Sequence, residues 1–196
     1  MSKYVKWFII ILIFIYFFIF FDKNIFQNNT VISRPITASI IPQSNDVHSP
    51  DGSFSIAMQS KESNSGFFTY EFFIENISGG KKKLLFATSG EGGEFWITPN
   101  AWSPDNNYIY ILERKNNKLN AMIFKSSGES FANGDVYIDT SPIFISRRTG
   151  YEIVDITGWD SPTLLHVVTK NHQDIGPSFW FDVPSKTFMQ LYNRSL

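Results

Sequence analysis

The chain has 196 residues, a formal charge of −1 at pH 7 and no cysteine, so it has room for one domain, or for a domain and an anchor. The near-zero charge, with Lys81-Lys82-Lys83 as its one basic run, argues against a nucleic-acid partner. The missing thiols exclude disulfides, a thiolate zinc site, a cysteine nucleophile and lipid attachment through cysteine.

Lys3 and Lys6 precede an apolar run from Trp7 to Phe21, which Asp22-Lys23 closes. Its 15 residues fall short of the roughly 20 that a spanning helix needs, but flanking lysines can snorkel. A cleaved secretory signal has a core of similar length and is the competing reading. No small-x-small cleavage pattern follows in Asp22-Lys23-Asn24-Ile25-Phe26, which favours an uncleaved signal anchor, a single transmembrane helix over residues 1–23. Lysines on the short side predict a cytoplasmic N-terminus and an extracytoplasmic remainder, periplasmic or extracellular.

Residues 24–35, rich in Asn, Thr and other polar residues, read as a tether, and Ile36-Thr37-Ala38-Ser39-Ile40 opens a domain over 36–196. No long helical pattern follows, and strand-like runs between turn residues predict an all-β domain. His48-Ser49-Pro50-Asp51-Gly52-Ser53 suits a type I turn: proline presets φ, and the short polar side chains bond nearby backbone. Phe54, Ile56 and Met58 then alternate with smaller residues, as in a strand with one buried side. The aromatic run Phe67 to Ile74 and the run Leu84 to Thr88 flank Gly79-Gly80, a hairpin signal. The glycines of Ser89 to Glu94 resemble a phosphate loop only superficially, because no helix follows them.

The turn returns as Trp102-Ser103-Pro104-Asp105-Asn106-Asn107, feeding Tyr108 to Leu112, which is apolar on both faces and predicts a strand covered on both sides. Leu119 to Lys125 follows, then an irregular stretch, Asp135 to Ser146, read as an insertion or an irregular strand. A third version of the turn starts at Trp159 and feeds Thr163 to Thr169, Ser178 to Val183 and Lys186 to Leu191. The three turns begin 54 and 57 residues apart, and each unit supplies about four strands.

These residues resemble the TolB-type, WD-repeat-like β-propeller repeat. They are Ser49-Pro50-Asp51-Gly52 with Gly79-Gly80-Lys81 and Leu84-Leu85, Trp102-Ser103-Pro104-Asp105 with Ile109-Tyr110-Ile111, and Trp159 with Leu164-Leu165 and Phe179 to Val183. The resemblance covers about residues 36–196 and implies about three four-stranded antiparallel sheets. The spacings exceed the usual blade period of about 40–45 residues, and closed propellers have about four to eight blades. A partial or small propeller-like array is therefore expected, with apolar end faces that draw in a protein partner or a second copy.

The resemblance implies a binding scaffold, and sometimes a lid on a serine peptidase. The chain has no G-x-S-x-G and no helix-strand alternation of a hydrolase domain. His48, His166 and His172 lack the close pairing of a metal site and read as structural. Asp51 and Asp105 read as turn residues. No catalytic, cofactor or metal residue is assigned. Phe67, Phe68, Trp96 and Trp180 are the candidate binding aromatics, although core packing explains most residues of this kind. The reading is a membrane-anchored module that binds a protein or envelope component. The alternative is an envelope hydrolase or lyase with an unrecognised active site.

Overall fold

The structure, a computed structural model, describes residues 46–62, 66–88, 93–148, 150–171 and 174–191. The anchor, the tether, the Ile36–Ile40 strand and His172 lie outside the described residues. Among the described residues no helix is long and apolar enough to cross a membrane.

Three antiparallel sheets follow one another along the chain. The first is β1 (Val47–His48), β2 (Phe54–Glu62), β3 (Phe68–Asn76) and β4 (Lys81–Ala87), side by side in sequence order. The second is β5 (Glu94–Trp96), β6 (Tyr108–Lys115), β7 (Lys118–Lys125) and β8 (Tyr137–Asp139). A short helix, α1 (Thr140–Arg147), then leads into the third sheet: β9 (Glu152–Trp159), β10 (Leu164–Asn171), β12 (Phe179–Asp182) and β13 (Thr187–Gln190). A two-residue strand, β11 (Asp174–Ile175), pairs with the end of β10 and makes this sheet five-stranded.

The all-β expectation thus needs one correction, since the irregular stretch after Asp135 forms β8 and α1. Asp139 caps the helix, its carboxylate accepting from Ser141 N at 3.3 Å. Pro142 sits in the first turn, where its missing N–H costs nothing, and Phe144 buries the inner face.

The repeated turn is the same object twice. The Ser49 hydroxyl donates to Asp51 Oδ1 at 2.6 Å and accepts from Phe54 N at 3.0 Å. The Ser103 hydroxyl donates to Asp105 Oδ1 at 2.7 Å and accepts from Tyr108 N at 2.9 Å. Each aspartate also accepts from the backbone two residues on, Ser53 at 3.0 Å and Asn107 at 3.1 Å. Gly52 and Asn106 hold equivalent left-handed positions, φ 71° and 61°, which these residue types tolerate best. The third turn, one residue shorter, lacks the leading serine and closes through Asp160 N donating to Leu164 O at 3.0 Å.

The residue heading each turn pairs with the strand that follows: His48 with Ser55, Trp102 with Ile109, Trp159 with Leu165. Each tryptophan also reaches back to the preceding sheet. Trp102 Nε1 donates to Val47 O at 2.9 Å, and Trp159 Nε1 donates to Ala101 O at 3.0 Å. The two acceptors are the residues just before His48 and Trp102. The indole rings stack on the first strand residue of the preceding unit, Trp102 on Phe54 at 6.4 Å and Trp159 on Tyr108 at 6.1 Å.

The second sheet is the middle layer. Ile109, Ile111, Met122 and Phe124 pack against Ile56, Met58, Phe72 and Ile74 of the first sheet. Tyr110, Leu112, Ala121 and Ile123 pack against Leu165, Val167, Phe179 and Phe181 of the third. Tyr110 is fully buried, and burial pushes its pKa up to about 12. Its hydroxyl accepts from Thr98 at 2.7 Å and donates to Asn100 Oδ1 at 2.9 Å, and Asn100 in turn donates to Thr157 O of the third sheet.

The two outward faces are mixed, not apolar as the sequence predicted. With Phe72 and Ile74 turned inward, strand alternation sends Glu71, Phe73 and Glu75 outward, and Lys82 lies 4.6 Å over the Phe73 ring. In the third sheet Phe179 and Phe181 are buried, while Trp180 takes the other face between its cross-strand neighbours His166 and Met189.

Ser103→Ala is expected to lower stability by about 1–3 kcal/mol in thermal or denaturant melts, because it strips the side-chain bond to Tyr108 N and leaves Asp105 with Asn107 alone. Trp159→Phe keeps an aromatic ring but removes the bond to Ala101 O and part of the packing on Tyr108 and Tyr110, so a loss of about 1–3 kcal/mol is expected by the same measurement. The serine and backbone bonds hold Asp51 below its ordinary pKa of 3.8. At Asp105 burial pushes upward, but the bonds from Ser103 and Asn107 outweigh it and the shift is again downward. A carboxylate depressed by folding contributes stability that is complete above the unfolded value and vanishes as pH falls through the folded one. Asp51→Asn combined with Asp105→Asn should therefore flatten the acid limb of a stability–pH curve below the ordinary aspartate pKa of 3.8. An acid limb as steep as that of the wild type would refute this.

Candidate functional site

The repeated turns and the hairpins after β3 and β12 share one rim of the array. Ile77 N donates to Ser53 O, Ser126 N to Asn107 O and Val183 N to Thr163 O, at 2.9, 2.9 and 3.0 Å, tying the two connections of each sheet together. The opposite rim carries the β2–β3 and β6–β7 connections, the β4–β5 connection and α1. Among the described residues, it holds the clefts.

The β6–β7 hairpin turns on Asn116 and Asn117, both left-handed at φ 52° and 59°, the geometry of a two-residue type I′ turn. On one side of this tip, between the first and second sheets, lies a cleft with two adjoining lobes of about 520 and 480 Å³. Phe67, Phe68, Tyr70, Glu94, Arg114, Asn116 and Asn117 line the outer lobe. Phe86, Phe95, Glu113, Lys115, Tyr137 and Asp139 line the inner one, and Phe68 and Gly93 border both. The aromatic floor is continuous: Tyr70 meets Phe95 at 5.2 Å, and Phe86 meets Tyr137 at 5.4 Å.

Two of the three carboxyl groups here are engaged within the fold, and the third, Glu94, lies 4.0 Å from the Arg114 guanidinium. Glu113 accepts from Asn120 Nδ2 at 3.2 Å, and Asp139 caps α1. Asn120, buried, also accepts from the Thr140 hydroxyl at 3.1 Å and from Ser141 N at 3.0 Å, so one amide fastens β6, β7 and the start of α1. Burial is the main cause that lifts the Asp139 pKa; bonds from Asn120 and Ser141 oppose it, and the Glu113 charge adds to it. Burial first, then the Glu94 charge, raises the Tyr70 pKa. Burial, then Asp139 and Glu113, does the same to Tyr137. These phenols stay protonated at neutral pH and offer O–H groups to a ligand.

Of the four candidate aromatics, Phe67 is 52% exposed at the cleft mouth and Phe68 is half-buried beside Tyr70, at 6.4 Å. Trp96 packs against the core between the second and third sheets, with the Arg114 guanidinium 5.1 Å over its ring. Trp180 stands apart on the outward face of the third sheet and donates to Asp160 Oδ2 at 2.6 Å. His48 lies exposed on β1, and His166 Nδ1 shares a hydrogen with the Thr157 hydroxyl at 2.6 Å. Ser49, Pro50, Asp51, Gly52, Trp102, Ser103, Pro104, Asp105 and Trp159 all lie on the rim away from the cleft. Among the described residues no cluster of three or more His, Asp or Glu could hold a metal ion. Tyr70, Phe86, Phe95 and Tyr137 were not singled out from the sequence; aromaticity was their one signal, and it did not separate them from core residues.

No family model matches the sequence. No curated protein matches it either. Among solved structures, the AtxE2 isopeptidase in its apo form is similar over 78% of this chain at TM-score 0.51 and 11% identity. A serine-to-alanine variant of that isopeptidase with astexin3-dC4 bound gives TM-score 0.53, also at 11% identity and over 78% of this chain. A putative dipeptidyl aminopeptidase IV from Bacteroides ovatus gives TM-score 0.36 at 12% identity, over 74% of this chain and 32% of its own, too low to carry an argument. The present chain spans 30% of the isopeptidase's length, so the likeness is one of fold alone. With its successive antiparallel sheets, the described part of the chain is a β-rich, propeller-like array similar in fold to part of a peptidase.

Proposed function

We propose that this chain is a binding module of TolB-like repeat type, held at a membrane by residues 1–23 with its sheets on the extracytoplasmic side. Its ligand, a protein or an envelope component, docks in the aromatic cleft between the first and second sheets. The observation that carries this reading is Phe67, 52% exposed at the mouth of a cleft floored by Phe68, Tyr70 and Phe95. Exposed aromatics that continue into a concave surface gain most by being covered, and aromatic and arginine side chains dominate protein interfaces. Arg114 stands at the same mouth. The hydrolase or lyase reading needs an acid–base pair free to act. Here Asp139 and Glu113 hold α1 and Asn120, so the cleft favours binding over catalysis.

Site-specific photocrosslinking in living cells tests this. A photoreactive phenylalanine analogue at Phe67 is expected to give a discrete adduct that Tyr70→Ala abolishes. The same analogue at Ile77, 46% exposed on the opposite rim, should not give that adduct. Identical adducts from both positions, or none from position 67, would refute the assignment.

A further inference from the structure

On the other side of the β6–β7 tip, between α1 and the start of β9, lies a second cavity of about 390 Å³. Its volume falls within the range of small-molecule sites, about 300–1,000 Å³. Leu119, Phe144, Ile145, Tyr151 and Ile153 give it apolar walls, and Arg148 supplies a guanidinium. We propose that this cavity binds an apolar carboxylate, the acid group paired with Arg148 and the hydrocarbon or aryl part against those walls. The assignment is independent of the aromatic cleft and its partner.

Arg148 is held as a recognition group would be. Its Nη2 donates to Phe188 O at 3.3 Å, and the guanidinium lies 5.5 Å over the Phe179 ring. Its Nε is buried with no hydrogen-bond partner among the described residues. No described ion pair involves Arg148. The cavity's one carboxylate, Glu152, is paired with Lys170 at 3.3 Å, and the other charged group on the lining, Lys118, adds positive charge. A partly buried guanidinium with no anion, fixed at both a carbonyl and a ring, bears a desolvation cost that a carboxylate ligand would offset with charge-assisted bonds. The apolar walls then select against small hydrated anions, and the planar fork of arginine favours a carboxylate it can grip at two points.

The test uses the full chain in detergent micelles, with empty micelles as the control, and isothermal titration with 3-phenylpropanoate and its neutral amide. The acid is expected to bind at least about tenfold tighter than the amide. Arg148→Gln should erase that preference. Because this change also removes the bond to Phe188 O, a second variant guards against a folding defect. Ile145→Glu, at a wall position 51% exposed, places a carboxylate beside the site; it should weaken both ligands through the lost apolar contact but the acid further, shrinking the acid-over-amide ratio about tenfold. Octanoate and N-acetylphenylalanine, compared in the same way, distinguish a fatty chain from a peptide C-terminus as the source; a preference for either supports the site. Equal binding of acid and amide, binding of neither, or a preference unmoved by both variants would overturn it.

Discussion

Two indole N–H groups hold the array together, and the rest of the architecture follows from where they point. Trp102 and Trp159 each pair with their own sheet through the backbone and bond a carbonyl of the sheet before through the side chain. One residue thus fixes the separation and the register of two layers. A hydrogen bond of this kind contributes about 1 kcal/mol net, whereas burying a large aromatic or aliphatic side chain stabilises by about 1.5–3 kcal/mol. The energy of the stack therefore lies in the packed faces of Ile109, Ile111, Tyr110 and Ile123. The indole bonds select which of many apolar arrangements forms.

The middle sheet was legible in the sequence because its strands are apolar on both faces, a pattern that only a doubly covered sheet permits. The turns were legible because serine, proline, aspartate and glycine each meet a local backbone requirement. Helix α1 was not, although Asp139, Ser141 and Pro142 form a start signal; eight residues are too few for periodicity to show. The expectation of apolar end faces failed for a plain reason. A run such as Phe68 to Ile74 divides between two faces, and the larger aromatic share, Phe68, Tyr70 and Phe72, turned inward. The aromatic cleft was half legible, since Phe67 and Phe68 stand out by composition. Glu113, Tyr137 and Asp139 come from segments whose proximity depends on the packing of whole sheets. Arg148 carried no signal at all, because an arginine after a short helix is ordinarily a solvated cap.

Lys81-Lys82-Lys83, the one basic run, falls on β4, at the edge of the first sheet. Lysines there discourage a foreign strand from pairing with open backbone groups. Lys83 also reaches Ser127 O at 3.1 Å and Gly128 O at 3.3 Å, tying that edge to the loop after β7. The chain's one basic run is thus part of how the sheet ends. Several other edges are short: β1 has two residues, β5 and β8 three each, whereas β9, with eight, is a long edge of the third sheet.

The backward reach of the tryptophans also gives the array a direction in time. Every clasp belongs to the later unit and closes on a carbonyl of the earlier one. A ribosome delivers the chain in the same order, so each sheet finds its docking surface already synthesised when its own tryptophan emerges. The first sheet needs no later residue to complete its turn, and the third is the last to be fastened. Assembly can therefore proceed by sequential addition from the first sheet to the third, as the chain is made or exported, with each new layer reading its position from the one before.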